Sequence, residues 1–247
     1  MNQGIAPQKV TSNYYLHMKK VISTVLFVCA VNICVSAQDV NQNSQNSCVD
    51  DKHPHLIDLG LPSGTKWACC NVGAETPEDY GNYYSWGETE EKSSYSPKSY
   101  PYCTGVDTDG DGWYDEDEQY LEAEQDFGEV ISGTHDAALV EWGESWQTPT
   151  LQQFRELLDN CSSEWTSVND VQGRRFTGPN GASIFLPAAG NRNGASRVLL
   201  GSSGNDWSST WGSSDASRAS ELIFDSDYMN THTAYRYNGR SVRPVGK

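Results

Sequence analysis

The chain has 247 residues, with 33 acidic against 17 basic side chains and a formal charge of −16. So acidic a chain is a poor match for nucleic acid, whose binding is driven by Lys and Arg neutralising phosphates. Its charge favours solubility and cation binding instead.

Met18-Lys19-Lys20 open a short positive region, residues 21–35 are mostly apolar, and Val35-Ser36-Ala37 supplies small residues. This pattern predicts a secretory signal peptide within 1–37, starting at Met18 and cleaved before Gln38. The apolar run, about fifteen residues, falls short of the roughly twenty that a spanning helix needs. The exported chain is therefore expected to carry no transmembrane span. Cys29 and Cys34 lie in the apolar region, without a convincing lipobox. The segment 1–37 removes Lys9, Lys19 and Lys20 and no acid, so the net charge becomes −16 − 3 = −19. The remaining stretch, about 210 residues, suits one domain with a sizeable core.

Cleavage leaves five cysteines: Cys48, Cys69, Cys70, Cys103 and Cys161. An odd number leaves one unpaired or bridged between chains. Adjacent Cys69 and Cys70 are poorly placed to bridge each other. No CxxC and no His/Cys cluster suggests zinc, so structural disulfides or buried thiols are expected.

Residues 38–54 are polar and read as a flexible tether, with a single domain over 55–247. Residues 56–61 suit a first strand, Pro62-Ser63-Gly64 a turn, and 66–72 a second strand. Residues 75–84 read as loop, and 83–87 as an aromatic strand or turn. Residues 88–130 are too long and polar for an ordinary connection and read as an insertion. From Ser99 to Phe154 there are fourteen acidic residues before the first basic one, Arg155, so this is the negative pole. A short helix over 134–142 should end at Gly143. A stronger one starts after Thr150, a natural N-cap with Gln153 completing a capping box, and carries Leu151, Phe154, Leu157 and Leu158 on one face. A strand at 173–176, a turn at 178–181 and a buried strand at 182–187 follow. Residues 188–205 read as loop. Asp206 onward reads as a strand through Leu222-Ile223-Phe224, a polar aromatic hairpin over 225–238, and a closing strand. The fold class is α+β: short irregular strands, two helices and long loops.

One motif carries explicit chemistry. Residues 107–118 fit D-x-[DN]-x-[DN]-G-x5-E at every constrained position. Asp107, Asp109 and Asp111 can turn inward together, Gly112 permits the bend, Trp113 offers its carbonyl, Asp115 a direct or water-mediated ligand, and Glu118 a bidentate carboxylate. Seven acids within these twelve residues repel one another unless a cation is present. The expectation is a structural Ca²⁺ loop that orders the insertion; the competing reading is a solvated acidic loop. Residues 95–106 contain Pro97, Pro101 and Gly105, so no entering helix is expected. No nucleophile–base set stands out. His53, His55, His135 and His232 show no ligand or triad spacing and read as surface or packing residues.

Several blocks together resemble the Fibrobacter succinogenes major paralogous domain. They are Leu59 through Ala68 (LGLPSGTKWA), Asn71-Val72-Gly73-Ala74, Tyr84-Ser85-Trp86-Gly87-Glu88, Trp142-Gly143, Trp146 through Thr150, Ile184 through Gly190 (IFLPAAG), Trp207-Ser208-Ser209-Thr210 and Ser241-Val242-Arg243-Pro244-Val245. They run in order over nearly all of the exported chain. The resemblance implies a secreted or surface protein of gut and rumen bacteria with no assigned enzymatic activity. It also implies a C-type-lectin-like fold, in the branch shared with formylglycine-generating enzymes, with paired terminal strands that bring 56–61 near 241–245. No EPN, QPD or WND triplet is present, so the sugar site of true C-type lectins is not carried over. Nor does a formylglycine-type cysteine pair match.

The ending is also similar to retroelement-diversified proteins of this fold, whose variable segment lies between motifs like WSST and RPV; a plain polar hairpin accounts for the same residues. The expectation is a non-enzymatic, adhesin-like binding domain for a glycan or protein ligand. Its surface would be built from Trp207, Trp211, Asp215, Asp227, Tyr228, His232, Tyr235 and Tyr237, since aromatic rings stack on sugars or anchor interfaces; ordinary packing is the competing reading for each, and for Trp207 a core position is the preferred one. The rival classes are a formylglycine-generating-like oxidase or carbohydrate-active enzyme, and a structural cell-surface component.

Overall fold

The structure is a computed structural model, and it describes residues 52–102, 127–212 and 217–246. The Ca²⁺ motif at 107–118, Asp215, Cys48, Cys103 and the segment 1–37 lie outside the described residues.

Among the described residues, two α-helices and twelve short strands follow one another: β1 (Leu56–Asp58), β2 (Lys66–Ala68), α1 (Ala137–Trp142), β3 (Trp146–Gln147), α2 (Leu151–Asn160), β4 (Ser162–Val168), β5 (Val171–Thr177), β6 (Ser183–Pro187), β7 (Asn191–Asn193), β8 (Ser196–Val198), β9 (Gly204–Trp211), β10 (Arg218–Phe224), β11 (Met229–Tyr235) and β12 (Val245–Gly246). They form small antiparallel sheets in the orders β1-β2-β12-β3, β11-β10-β9, β4-β5-β6 and β7-β8. The α+β composition expected from the sequence is what is found. Among the described residues, no helix is long and apolar enough to cross a membrane.

The terminal pairing differs in detail from the expectation. β12 pairs with β2, Val245 opposite Trp67, and β1 lies outside β2 at the sheet edge. The hairpin turn at 62–64 folds β1 back onto β2 first, so the second strand, not the first, receives the chain's end. The 188–205 stretch is not all loop, because β7 and β8 form a hairpin there. Its strands, Asn-Arg-Asn and Ser-Arg-Val, have no apolar alternation because they are largely solvated. They are held instead by the Arg192–Gly239 backbone pair (2.7 and 3.0 Å) and by Arg192 and Arg197 over the Tyr83 ring.

α2 begins as its sequence dictates. Thr150 Oγ1 accepts the Gln153 N–H at 3.3 Å, and Gln153 Oε1 accepts the Thr150 N–H at 2.8 Å. Two orphan donors of the first turn are thereby satisfied. Phe154 and Leu157 are buried in one core cluster with Ile57, Trp67, Phe176, Leu186, Leu222, Phe224 and Val245. Thr150→Ala should lower stability by about 1 kcal/mol in urea unfolding while leaving the fold intact. An unchanged midpoint would show that the cap is redundant with the Leu151 N–H bond to Thr210 Oγ1.

A second cluster gathers Val72, Tyr84, Trp86, Ile131, Ala137, Trp207, Ala219, Ala234 and Val242. The sheet β9–β10–β11 lies between the two. Leu222 and Phe224 point to the first cluster, Ala219, Ala234 and Trp207 to the second. This explains why β9 and β10 are buried on both faces instead of alternating. The 83–87 segment is an irregular strand against the chain's end. Tyr84 and Arg240 exchange backbone bonds at 2.9 and 3.0 Å, and the Trp86 N–H donates to the Arg236 carbonyl at 2.8 Å. The buried rings spend their polar atoms on carbonyls of this irregular chain. Trp86 donates to Ser208 (2.8 Å), Trp207 to Tyr84 (2.8 Å), Tyr95 to Tyr83 (2.6 Å) and Tyr100 to Trp86 (2.6 Å). Backbone that lies outside a ladder is satisfied this way.

Candidate functional site

β10 and β11 form a regular hairpin, in register from Arg218 opposite Tyr235 to Phe224 opposite Met229. The 225–228 turn is closed by Asp225, whose Oδ1 accepts the N–H groups of Asp227 (2.8 Å) and Tyr228 (2.7 Å). This is the local side-chain bond that makes Asp a turn former. From below, buried Arg174 donates to the carbonyls of Asp225 (2.6 Å) and Ser226 (3.2 Å) and so fixes the tip. Asp227 and Tyr228 stand in solvent there, Tyr228 at 46 % exposure.

β11 is the edge strand of its sheet. Alternation along it puts Asn230 and His232 on one face, both exposed, before Ala234 turns into the core. Asn230 and His232 thus line the edge, and Tyr228 stands exposed in the turn where this ridge begins. His232 Nδ1 lies 2.9 Å from the Thr233 carbonyl. A carbonyl only accepts, so Nδ1 is the donor in this contact and Nε2 is the ring nitrogen turned to other partners. Behind His232 lies a buried charged layer. Glu221 Oε1 is 4.0 Å from His232 Nδ1, and Glu221 Oε2 is 2.6 Å from Arg240 Nε. Asn205 donates to Glu221 at 3.3 Å, and the Arg240 guanidinium covers the Trp207 ring at 4.8 Å. Next to Asn205 in β9, Asp206 is fully enclosed. Burial pushes its carboxyl up to about 7; Glu221 adds to the rise, while Arg243 and Arg240 oppose it.

The structure divides the residues that the sequence grouped together. Trp207 and Tyr237 are corrected from surface to interior: they are 1 % and 7 % exposed. Trp207 fills the second core because β9 is covered on both faces. Tyr237 is stacked on Tyr235, with centroids 5.3 Å apart and planes 12° apart. Trp211, 37 % exposed, shares a face with His232 but sits at the far end of β9. Tyr235 points to the opposite face, with Arg218 4.2 Å over its ring. Asn230 was missed by sequence reasoning; the signal was its i, i+2 relation to His232 in a strand.

A second group was missed entirely. The sequence predicted no His/Cys cluster, yet β1 and β2 bring His53, His55 and Cys69 together, with one ligand atom of each within 4.8 Å of the others. The correction follows from register. Leu56 pairs with Ala68, so the next pair outward is His55 with Cys69. Cys161, by contrast, is a packed thiol. Burial, with Glu156 adding, pushes it up to about 11, so it stays protonated at neutral pH. The cavity lined by Tyr84, Trp86, His135, Thr148 and Trp207 measures about 10 Å³, room for one water.

Comparison with protein-family models, with curated proteins and with solved structures finds no match for this chain.

Proposed function

We propose that this chain is an exported, surface-exposed, non-enzymatic binding domain of the C-type-lectin-like kind. In this reading the Tyr228–Asn230–His232 ridge meets a glycan or protein ligand, and the 107–118 loop holds a structural Ca²⁺. The observation that supports it is the ridge itself. An exposed aromatic ring at the turn is followed by an amide and an imidazole on the edge strand, and Arg174 anchors the turn from beneath. Such an edge offers one stacking surface and several hydrogen-bond groups at little ordering cost, since the turn and strand are already fixed. Residues of the family blocks, such as Trp67, Trp86, Trp207 and Arg243, are core here. That arrangement suits a scaffold whose specificity lies in the intervening polar segment.

The test is a glycan and host-protein binding array, run with calcium and with chelator, followed by titration of the best ligand. Tyr228→Ala should weaken binding about 30-fold, the equivalent of about 2 kcal/mol for a central aromatic contact. Asn230→Ala and His232→Ala should weaken it by smaller factors, with thermal stability unchanged in all three. Chelation should leave the ridge's affinity unchanged. Absence of any ligand, or full affinity in the Tyr228 variant, would remove the proposal.

A further inference from the structure

We infer that His53, His55 and Cys69 form a binding site for one Zn²⁺ ion. His55 and Cys69 face each other across the first hairpin, and two backbone-level bonds fix them. The Cys69 N–H donates to the His55 carbonyl at 3.0 Å, and the His55 N–H donates to Cys69 Sγ at 3.1 Å. A sulfur that already accepts a backbone N–H is oriented before any metal arrives, as the outer-shell bonds of metal ligands orient them. The two imidazoles reach the same sulfur from different directions. His53 Nδ1 lies 3.1 Å and His55 Nδ1 3.8 Å from Sγ, with the rings edge to face and centroids 5.2 Å apart.

These spacings suit tetrahedral zinc. With Zn–S near 2.3 Å and Zn–N near 2.1 Å, the geometry places sulfur and nitrogen about 3.6 Å apart. The observed 3.1 and 3.8 Å fall on either side of that value. Small ring rotations on half-buried side chains are enough to close the difference. The donor set, two imidazoles and one thiolate, favours zinc over the hard, oxygen-seeking Ca²⁺ and Mg²⁺.

The setting also holds the sulfur's backbone in place. Cys69 is buried, and the guanidinium of Arg243, fully enclosed, donates to its carbonyl at 3.0 Å. His53 and His55 are half-buried, so solvent reaches the group and gives an ion its entry path. Three protein ligands leave the fourth tetrahedral position for water or an exogenous donor. This site is separate in sequence and in chemistry from the acidic 107–118 motif, which offers oxygen ligands alone.

The experiment uses the whole purified chain, reduced and stripped of metal, with excess Ca²⁺ present to occupy carboxylate sites. Zn²⁺ is titrated against a chromophoric chelator, and Co²⁺ is used as a spectroscopic stand-in. One Zn²⁺ per chain should bind, and Co²⁺ should give a sulfur-to-cobalt charge-transfer band with tetrahedral visible bands. His53→Asn and His55→Asn should each weaken Zn²⁺ binding by more than about tenfold, the least that even an outer-shell partner is worth. Cys69→Ser should abolish the charge-transfer band. Because Cys69 packs in the core, the two histidine variants and the wild-type cobalt spectrum decide the matter if that variant fails to fold. No stoichiometric Zn²⁺ under excess Ca²⁺, a cobalt spectrum without a sulfur band, or unchanged affinity in both histidine variants would overturn the site.

Discussion

Arg243→Met is expected to cost more than about 5 kcal/mol, which is comparable with the whole stability of a typical domain. Arg243 is completely enclosed. Its Nε donates to Asn71 Oδ1 at 2.7 Å, Nη1 to the carbonyls of Ala68 (3.3 Å) and Cys69 (3.0 Å), and Nη2 to the carbonyl of Phe185 (2.9 Å). One side chain thus ties the end of β2, the following loop and β6 to the closing segment. Buried ion pairs are often replaceable by apolar residues when both partners are exchanged. Here the acceptors are mostly backbone carbonyls, which no substitution removes. Methionine fills part of the volume but leaves these acceptors buried with a donor lost, at about 1–3 kcal/mol each. Lysine keeps the charge but not the planar fork, so Arg243→Lys should fall between the two. Urea unfolding should give the order Arg, Lys, Met, with the methionine variant unfolded or aggregated before denaturant is added. A methionine variant within about 1 kcal/mol of wild type would show that these bonds are dispensable.

The elements legible in the sequence were those whose signals are local. The Thr150/Gln153 capping box and the Phe154–Leu157 spacing specify α2 within a dozen residues, and the structure places the helix at 151–160 with that cap. The 134–142 helix was half legible. Gly143, at φ 91°, ends it as read, but its first turn is a separate 3-10 turn at Gly133–His135 and Asp136 is the cap. What escaped was set by tertiary contact. β9 alternates poorly because both its faces are covered, so nothing local distinguishes buried Trp207 from exposed Trp211. β7 and β8 show no apolar alternation because backbone bonds to Gly239 and cation–ring contacts hold them. The His53–His55–Cys69 group looked unrelated because Cys69 lies sixteen and fourteen positions from the two histidines. Counting outward from the turn at Pro62 places 55 opposite 69. That register was recoverable from the sequence, whereas a search by ligand spacing along the chain was not going to find it.

Asp206→Asn is expected to remove a loss of stability that the wild-type chain suffers as pH rises from about 4 to 7. Asp206 lies in β9 opposite Leu222, next to the bridge to Ser241, with its carboxyl buried. Burial raises it from its ordinary 3.8 to about 7, Glu221 contributes in the same direction, and Arg243 and Arg240 act against them. Between these values the unfolded chain has released the proton while the folded chain still holds it. The unfolded state therefore binds fewer protons, and stability falls with pH across that window. Below about pH 4 both states are protonated and the residue contributes no slope; above about 7 both are ionised and the loss is complete. The accumulated loss is on the order of 4 kcal/mol, which for a domain of this size corresponds to roughly 10 °C in melting temperature. Asparagine has no such titration. Its melting temperature should gain on wild type by about that amount between pH 4 and pH 8, whatever offset separates the two at the acid end. Other carboxylates titrate in both proteins and cancel in the difference. Parallel curves for the two proteins would mean that Asp206 is ionised throughout, fully compensated by Arg240 and Arg243.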